Sequence, residues 1–246
     1  MKISALIPAR YDSIRFPGKL MKKLGRKSVI RQTYESVLNS KLFDEICVIT
    51  DSKLIYNHLN KINFNVLYSN TQHECGTDRI AEMSHKFDSD IIFNIQGDEP
   101  FIDKNGLIEL INVFKNDINN KIQIASLMTP ILDYKEVSNP NIVKVIVDKE
   151  NFAIYFSRHS IPYSQERKIS FNHFKHIGVY ALRRKSLKNF SKEGKTTLES
   201  IEKIEAIRFL EMGYKIKMVK TNKTTIGIDT FEDLEKANDL FKRKII

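Results

Sequence analysis

An acidic residue at the end of an apolar run is the feature of this sequence with the clearest chemical potential. The run Ile91-Ile92-Phe93 predicts a strand buried on both faces of a parallel sheet, and the sequence continues as Asn-Ile-Gln-Gly-Asp-Glu-Pro-Phe. Gly97 allows a sharp exit from the strand, and Pro100 keeps Glu99 extended. Asp98 is therefore predicted at the carboxyl edge of a central strand, where open α/β sheets bind ligands. This pattern favours a metal-nucleotide site, with an acidic turn that merely ends a strand as the alternative.

A cationic loop follows the first predicted strand, the apolar run Ile3 to Ile7. Residues 8–19 carry Arg10, Arg15 and Lys19 among prolines and a glycine. Arginine offers a planar fork to phosphate oxygens and lysine a compact charge, so this chemistry suits a triphosphate. The spacing of a Walker loop is absent, and a solvated basic surface is the alternative interpretation.

Six segments together resemble the CMP-KDO synthetase family, the 3-deoxy-manno-octulosonate cytidylyltransferases. The segments run from end to end of the chain in the family's order: residues 7–19, 76–82, 94–100, 156–158, 176–180 and 227–235. The resemblance implies a magnesium-dependent reaction in which CTP and the 3-deoxy sugar acid KDO give CMP-KDO and pyrophosphate, for lipopolysaccharide biosynthesis. A cytidylyltransferase for an 8-amino analogue of KDO, or for another acidic sugar, is the alternative.

The resemblance also implies a role for individual residues. The implied ligands of Mg²⁺ are Asp98 and Asp229, which with Lys19 and Arg15 make up the catalytic set. The implied nucleotide contacts are Ala9, Arg10, Arg15, Lys19, Gly76, Thr77 and Gln96. The implied sugar contacts are Gln96, Arg158, His176, Tyr180 and Glu205. From the residues alone, Thr77 predicts a helix cap, Asp229 or Thr230 predicts another, and His176 predicts a core or edge residue of a strand.

One segment departs from the family pattern. The stretch Leu198 to Arg208 predicts one helix that resembles the family's sugar-binding helix, but Ala206 stands where the family usually has glutamine. An unpaired polar group in a closed site costs about 1–3 kcal/mol, so the missing amide predicts a change in how one sugar hydroxyl is read. Either KDO binds more weakly than usual, or the substrate carries a group such as an amine that Glu205 could pair with.

The pattern of elements predicts an α/β fold. Alternating strands and helices, with a helix from Ser28 to about residue 39, imply parallel strands with right-handed crossovers. Later strand-like runs predict a mixed central sheet: Ile122 to Met128, Ile142 to Val147, Ala153 to Phe156 and His176 to Leu182. We therefore expect a Rossmann-like nucleotidyltransferase fold with a small dimerisation layer. Lys144, amid β-branched residues, is predicted on the solvent side of an edge strand.

The domain prediction is one cytidylyltransferase domain over residues 1–246. Within it, a subregion of about residues 122–182 is expected to serve dimerisation and sugar binding. The family resemblance implies a homodimer.

Composition limits the classes of partner. A formal net charge of +10 makes a nucleic-acid-binding module an alternative interpretation. Lysines are, however, interleaved with acidic residues along the whole chain, and no nucleic-acid-binding motif is recognisable. A positive field would equally assist capture of a triphosphate and a carboxylate. The apolar stretch within Met1 to Pro8 is too short for a secretory signal, no run approaches the ~18 apolar residues of a membrane span, and the two cysteines lack zinc spacing. We expect a cytoplasmic protein with no nucleic-acid partner and no stable membrane insertion.

Overall fold

The computed structural model describes residues 1–13, 15–163, 165, 171–223 and 226–242. Ile14, in the predicted cationic loop, and residues 164 and 166–170, in the predicted subregion 122–182, lie outside the described residues. In the described ranges, no helix is both long and apolar enough to cross a lipid bilayer.

The strands and helices are given in chain order. The strands are β1 (Ile3–Ala9), β2 (Lys23–Leu24), β3 (Lys27–Ser28), β4 (Glu45–Thr50), β5 (Val66–Tyr68), β6 (Ile91–Ile95), β7 (Ile124–Pro130), β8 (Lys144–Val147), β9 (Ala153–Ser157), β10 (Phe174–Arg183) and β11 (Ile216–Lys220). The helices are α1 (Val29–Ser40), α2 (Lys53–Asn60), α3 (Gly76–Met83), α4 (Lys104–Asn116), α5 (Tyr134–Val137), α6 (Arg184–Glu193), α7 (Thr197–Glu202), α8 (Ala206–Glu211) and α9 (Phe231–Lys242), with 3₁₀ turns at Lys19–Met21 and Ser84–Lys86.

The chain forms two compact units. The first contains residues 1–107 and 225–246, and the second contains residues 108–224. The single-domain boundaries expected from the sequence stay a prediction.

Four parallel strands form the sheet of the first unit. Their order is β6, β1, β4, β5, with Ile3 opposite Ile91 and Ser4 opposite Glu45. Every residue of β1 is buried. Because parallel strands end at the same edge, the carboxyl ends of β1 and β6 bring the loops that follow them together.

The strands of the second unit run in both directions. Strand β7 pairs with β11 in parallel and with β10 in antiparallel fashion, and β8 pairs antiparallel with both β10 and β9. An irregularity in β10 falls between Ile177 and Tyr180. The predicted α/β class with mixed strands is confirmed.

Helix starts agree with the sequence in two cases and not in a third. Ser28 caps α1, accepting a hydrogen bond from the Arg31 N–H, and the Thr230 hydroxyl accepts one from the Asp233 N–H at the start of α9. The predicted cap at Thr77 is wrong. The Cys75 sulfur caps α3 instead, because Cys75 is the last extended residue and Thr77 already lies inside the first helical turn.

The predicted helix from Leu198 to Arg208 is also wrong, because it is two helices. Lys203 adopts the left-handed conformation, with φ of 56°, between α7 and α8. The break brings the Glu199 carboxylate of α7 to within 2.7 and 2.8 Å of the Arg208 guanidinium of α8, and both side chains are buried. In one continuous helix, residues nine positions apart would be separated by about 13 Å along the axis, so this ion pair could not form.

We predict that replacing one residue of the buried pair Glu199–Arg208 lowers the free energy of unfolding more than replacing both. Each of the variants Glu199→Leu and Arg208→Met leaves one buried charge without its partner, which is expected to lower the free energy of unfolding by about 3–5 kcal/mol. The double variant removes both charges and should lose much less than the sum of the two. Urea unfolding of the four proteins measures these values, and strictly additive losses would contradict the prediction.

Candidate functional site

Two loops that are far apart in sequence are joined by a backbone hydrogen bond. The Ile228 N–H donates to the Asp98 carbonyl at 2.9 Å. At Gly227 the loops approach so closely that a Cβ would lie 2.9 Å from a carboxylate oxygen of Glu99. This contact places Asp229, which follows β11, beside Asp98, which follows β6.

The turn that carries Asp98 is fixed by contacts to neighbouring elements. The Thr33 hydroxyl of α1 donates to the Gly97 carbonyl at 2.8 Å. A Cβ at Gly97 would lie 3.0 Å from the Pro8 carbonyl oxygen at the end of β1. The close approach of two backbones favours glycine here, whereas the sequence predicted that Gly97 serves a sharp exit from the strand.

Lys19 lies between the two acids. Gly18, with φ of 66°, donates its N–H to the Tyr11 carbonyl at 3.1 Å and turns the chain into the 3₁₀ turn that begins at Lys19. The Lys19 ammonium donates to the Asp98 carboxylate and, at 2.8 Å, to the Asp229 carboxylate. The Arg15 guanidinium lies 2.8 Å from the other oxygen of Asp229. The structure therefore brings the four predicted catalytic residues together.

The charges of this group are balanced, with two carboxylates and two cations. Burial alone would lower the pKa of Lys19, which is 8% exposed, but the charges of Asp98 and Asp229 more than offset it and raise that pKa. The ammonium is therefore held protonated and neutralises the repulsion between the two carboxylates.

The donor set suits Mg²⁺. In the described ranges no group of three or more histidine, cysteine, aspartate or glutamate side chains could hold a metal ion. Magnesium, however, is commonly held by one or two carboxylates while phosphate oxygens and waters complete the octahedron. Asp98 and Asp229, each within hydrogen-bonding distance of the same ammonium, supply that number of hard oxygen ligands.

Three of the other predicted nucleotide contacts form one cluster. A Cβ at Gly76 would lie 3.0 Å from both the Gln96 amide and the Pro8 ring. The Gln96 amide donates to Asn94 at 3.2 Å, and Asn94 donates to the Thr77 hydroxyl at 2.9 Å. Ala9, the neighbour of Pro8, is buried at the end of β1. The helix start at Gly76 is thus held against the ends of two strands.

Arg10 is exposed and lines a pocket of about 360 Å³. Asp51, His73 and Arg79 share this lining. Arg79 is buried and its guanidinium donates to Asp51 at 2.6 Å, while His73 lies 2.8 Å from the Glu82 carboxylate. Sequence analysis assigned no role to these three residues, and nothing in their spacing indicated a shared pocket.

Arg158, in the second unit, binds backbone carbonyl groups. Its guanidinium donates to the carbonyls of Glu202 and Pro140 at 2.8 Å each and to that of Lys203 at 3.4 Å. Its own N–H donates to the Glu202 carboxylate at 2.9 Å. These contacts fix the plane of the guanidinium at the end of β9. Its contact with a sugar carboxylate stays a prediction.

His176 and Tyr180 contact each other on β10, with ring centroids 5.4 Å apart. His176 is buried and its Nε2 lies 2.9 Å from the Ser126 hydroxyl, which donates to the Val179 carbonyl at 2.8 Å. Because that hydroxyl has one proton, His176 donates from Nε2 as the neutral tautomer. Burial lowers the pKa of His176 to about 3.

Glu205 precedes α8 and is half-buried, two residues beyond the Lys203 carbonyl that Arg158 binds. Ala206, the position of the departure from the family pattern, is completely buried. It therefore fills interior space of the second unit, and its effect on sugar recognition stays a prediction.

The prediction that Lys144 faces solvent is wrong, because its side chain is completely buried. The sequence placed it in an edge strand, where an alternating pattern does not reveal which face is covered. In the structure its ammonium donates three hydrogen bonds to backbone carbonyls. Burial of a charge is tolerated when such donors are satisfied.

We predict that His176 makes the protein sensitive to acid. The unfolded chain takes up a proton near pH 6.5 but the folded chain only near pH 3, so the stability is fully present above pH 6.5 and is lost as the pH falls toward 3. Between pH 7.5 and pH 5 the loss from this group is about 2 kcal/mol.

The variant His176→Gln keeps a donor for Ser126 but does not titrate, so its free energy of unfolding should fall less over the same pH range. Urea unfolding at several pH values measures the difference. The exposed His159→Gln is the control and should follow the unsubstituted protein. Parallel curves for all three would contradict the assignment of a neutral buried imidazole.

Comparison with known proteins identifies the family. A family model described as cytidylyltransferase matches residues 4–218. The 3-deoxy-manno-octulosonate cytidylyltransferase of Christiangramia forsetii is 51% identical over 239 residues, which are 97% of this chain and 96% of that protein. The protein of the same name from Flavobacterium johnsoniae is 49% identical over 242 residues, covering 98% of this chain and 99% of that protein.

A solved structure shares the fold. The structure of CMP:2-keto-3-deoxy-manno-octonic acid synthetase complexed with CTP matches with a TM-score of 0.91 and 33% sequence identity, covering 99% of this chain and all of that one. The match extends over both units. With the sequence matches and the cluster of Asp98, Asp229 and Lys19, it shows that this chain belongs to the cytidylyltransferase family.

Proposed function

We propose that this chain transfers the cytidylyl group of CTP to KDO, giving CMP-KDO and pyrophosphate for lipopolysaccharide biosynthesis. The observation that carries the proposal is the full-length similarity, up to 51% identity, to proteins named for this reaction. The clustering of Asp98, Asp229 and Lys19 supports it, because these are the residues that the family resemblance implies for catalysis.

The reaction is an in-line displacement. The anomeric hydroxyl of KDO attacks the α-phosphorus of CTP, the bond to the β-phosphate oxygen breaks, and pyrophosphate leaves. In phosphoryl transfer of this kind the protein supplies position and charge rather than a covalent nucleophile. In this proposal Arg10, Arg15 and Lys19 neutralise the triphosphate; Arg15 and Lys19 lie beside Asp229, and Arg10 lines the pocket of about 360 Å³.

Asp98 and Asp229 would hold Mg²⁺. When bound, the ion polarises the α-phosphate and lowers the pKa of the attacking hydroxyl. Lys19 lies between these carboxylates, so we propose that its ammonium turns to the phosphate oxygens when CTP binds. The cation then serves two successive partners, first the carboxylates and then the phosphates.

We propose that four residues of the second unit recognise the sugar acid: Arg158, His176, Tyr180 and Glu205. The neutral His176 has its Nε2 engaged with Ser126, so the ring is fixed in orientation. Arg158 supplies the positive charge that a carboxylate requires.

We also propose that the protein is a homodimer and acts in the cytoplasm. Exposed aromatic residues cluster in the second unit, where Tyr134 and Phe171 lie 5.9 and 5.2 Å from the ring of His173. Such an apolar patch supports an interface between subunits, and light scattering would measure the mass. The cytoplasm is supported by the use of CTP as substrate.

Pyrophosphate release from CTP, measured across a panel of sugar acids, tests the function. The panel contains KDO, its 8-amino analogue and a sialic acid, and each is assayed with the protein and with Ala206→Gln. We expect the largest specificity constant with KDO. A preference for the 8-amino analogue that weakens in Ala206→Gln would assign the departure at residue 206 to specificity, and no release with any sugar acid would refute the proposal.

We predict that Asp98→Asn and Asp229→Asn each lower turnover by more than about a hundredfold, beyond the usual effect of a residue that only orients a ligand. The amide keeps the size of the side chain but loses the charge that a hard cation requires. Turnover in Mg²⁺, far-ultraviolet circular dichroism and Mn²⁺ binding in the presence of CTP are the measurements. The exposed Asp239→Asn is the control, and near-normal turnover in either site variant would remove that residue from the metal site.

We predict that Lys19→Met binds Mn²⁺ at least about tenfold more tightly than the unsubstituted protein when nucleotide is absent, because an ion then replaces the ammonium between two repelling carboxylates. The same variant, like Arg15→Ala, should raise the KM for CTP much more than that for KDO. Electron paramagnetic resonance of Mn²⁺ and initial rates are the measurements, with the exposed Lys23→Met as control. Equal affinities for Mn²⁺ would show that Lys19 does not compete with the metal.

A further inference from the structure

Lys144 is a buried cation with three backbone partners. Its ammonium donates to the carbonyls of Asn139 at 2.9 Å, Ile142 at 2.6 Å and Arg158 at 2.5 Å. An ammonium has three donors, so these bonds use its full capacity. Lys144 is completely buried, and its three hydrogen bonds join the loop before β8 to the end of β9.

The segments that Lys144 joins are the ones that surround Arg158. The Arg158 guanidinium donates to Pro140, which lies between Asn139 and Ile142, and to the carbonyls of Glu202 and Lys203. Its backbone N–H binds the Glu202 carboxylate, which also accepts a bond from the Ser157 hydroxyl. Arg158 is thus held at its N–H, its carbonyl and its side chain.

We propose that Lys144 is a positioning residue for the sugar acid and acts through Arg158. It holds the Arg158 carbonyl directly, and it fixes the loop whose Pro140 carbonyl orients the guanidinium. The inference rests on the proposed contact between Arg158 and the carboxylate of the substrate.

The chemistry of the site favours lysine for this task. A carboxylate is read by an arginine through two parallel bonds, which require a fixed guanidinium plane. An ammonium can satisfy three carbonyls that converge from different directions, whereas a neutral side chain of the same length can satisfy none of them. Without Lys144, three carbonyls lose a donor and the loop of residues 139–142 is no longer tied to the end of β9.

Initial rates with Lys144→Met test the proposal. We expect the KM for KDO to rise about tenfold or more, as for other changes that misplace a binding group, while the KM for CTP is unchanged. In an Arg158→Ala background the same substitution should have no further effect on the KM for KDO, because both act through one guanidinium. Lys217→Met is the matched control, since Lys217 also donates to a backbone carbonyl of the second unit, that of Glu150.

Pro140→Gly provides a second variant in case Lys144→Met does not fold, because Pro140 is exposed and its replacement only loosens the loop. Like Lys144→Met, the variant Pro140→Gly should raise the KM for KDO, and residues 139–142 should take up deuterium faster. An unchanged KM for KDO in the folded variants, or equal changes for both substrates, overturns the proposal.

The proposal for Lys144 depends on the role of Arg158 and on the proposed function, and the failure of either gives a result that distinguishes it from failure of the proposal for Lys144. If Arg158→Ala itself leaves the KM for KDO unchanged, the role of Arg158 is wrong and that of Lys144 falls with it. If the unsubstituted protein releases no pyrophosphate with KDO, the proposed function is wrong. In that case unchanged deuterium uptake in Lys144→Met would still refute the positioning of the loop.

Discussion

The bond between the Lys19 ammonium and two carboxylates governs the first unit of this protein. Asp98 and Asp229 come from segments that are far apart in sequence, and two like charges at this separation would repel each other without a cation between them. The hydrogen bond from Ile228 to the Asp98 carbonyl sets their distance, and the ammonium makes that distance favourable. The two carboxylates that we propose as ligands of Mg²⁺ are thereby held side by side.

If Lys19 moves to the phosphates as we propose, binding of the nucleotide makes the two carboxylates available to the metal ion. Lys19 and Mg²⁺ favour the same carboxylate oxygens, while Lys19 and Mg²⁺ both also favour phosphate. In the proposed function, a triphosphate offers the ammonium a second set of oxygens, and the carboxylates of Asp98 and Asp229 are then available to the ion. Such an exchange needs no large movement of the backbone, because a lysine side chain can rotate about four carbon–carbon bonds.

The second unit uses cations differently. Lys144 and Arg158 donate to backbone carbonyls, so the charges fix loops rather than neutralise acids. Glu199 and Arg208 form a conventional buried ion pair, which accompanies the break between α7 and α8. A sugar acid differs from its analogues by single groups, and discrimination at that level requires side chains held in one orientation.

The sequence by itself determined the class of the fold, the family, and the residues at the ends of β1 and β6, because apolar runs, glycines and prolines act locally. It also indicated Asp98, Arg15, Lys19 and Asp229 through the family motifs. Only the tertiary structure decided that Lys19 lies between the acids, that Lys144 is buried and that the helix predicted for residues 198–208 is broken. Each of these depends on contacts between separate elements: Lys19 binds acids 79 and 210 residues away, Lys144 binds the residue after β9, and Arg208 of α8 binds Glu199 of α7. Neither periodicity nor local propensity reveals which elements come into contact.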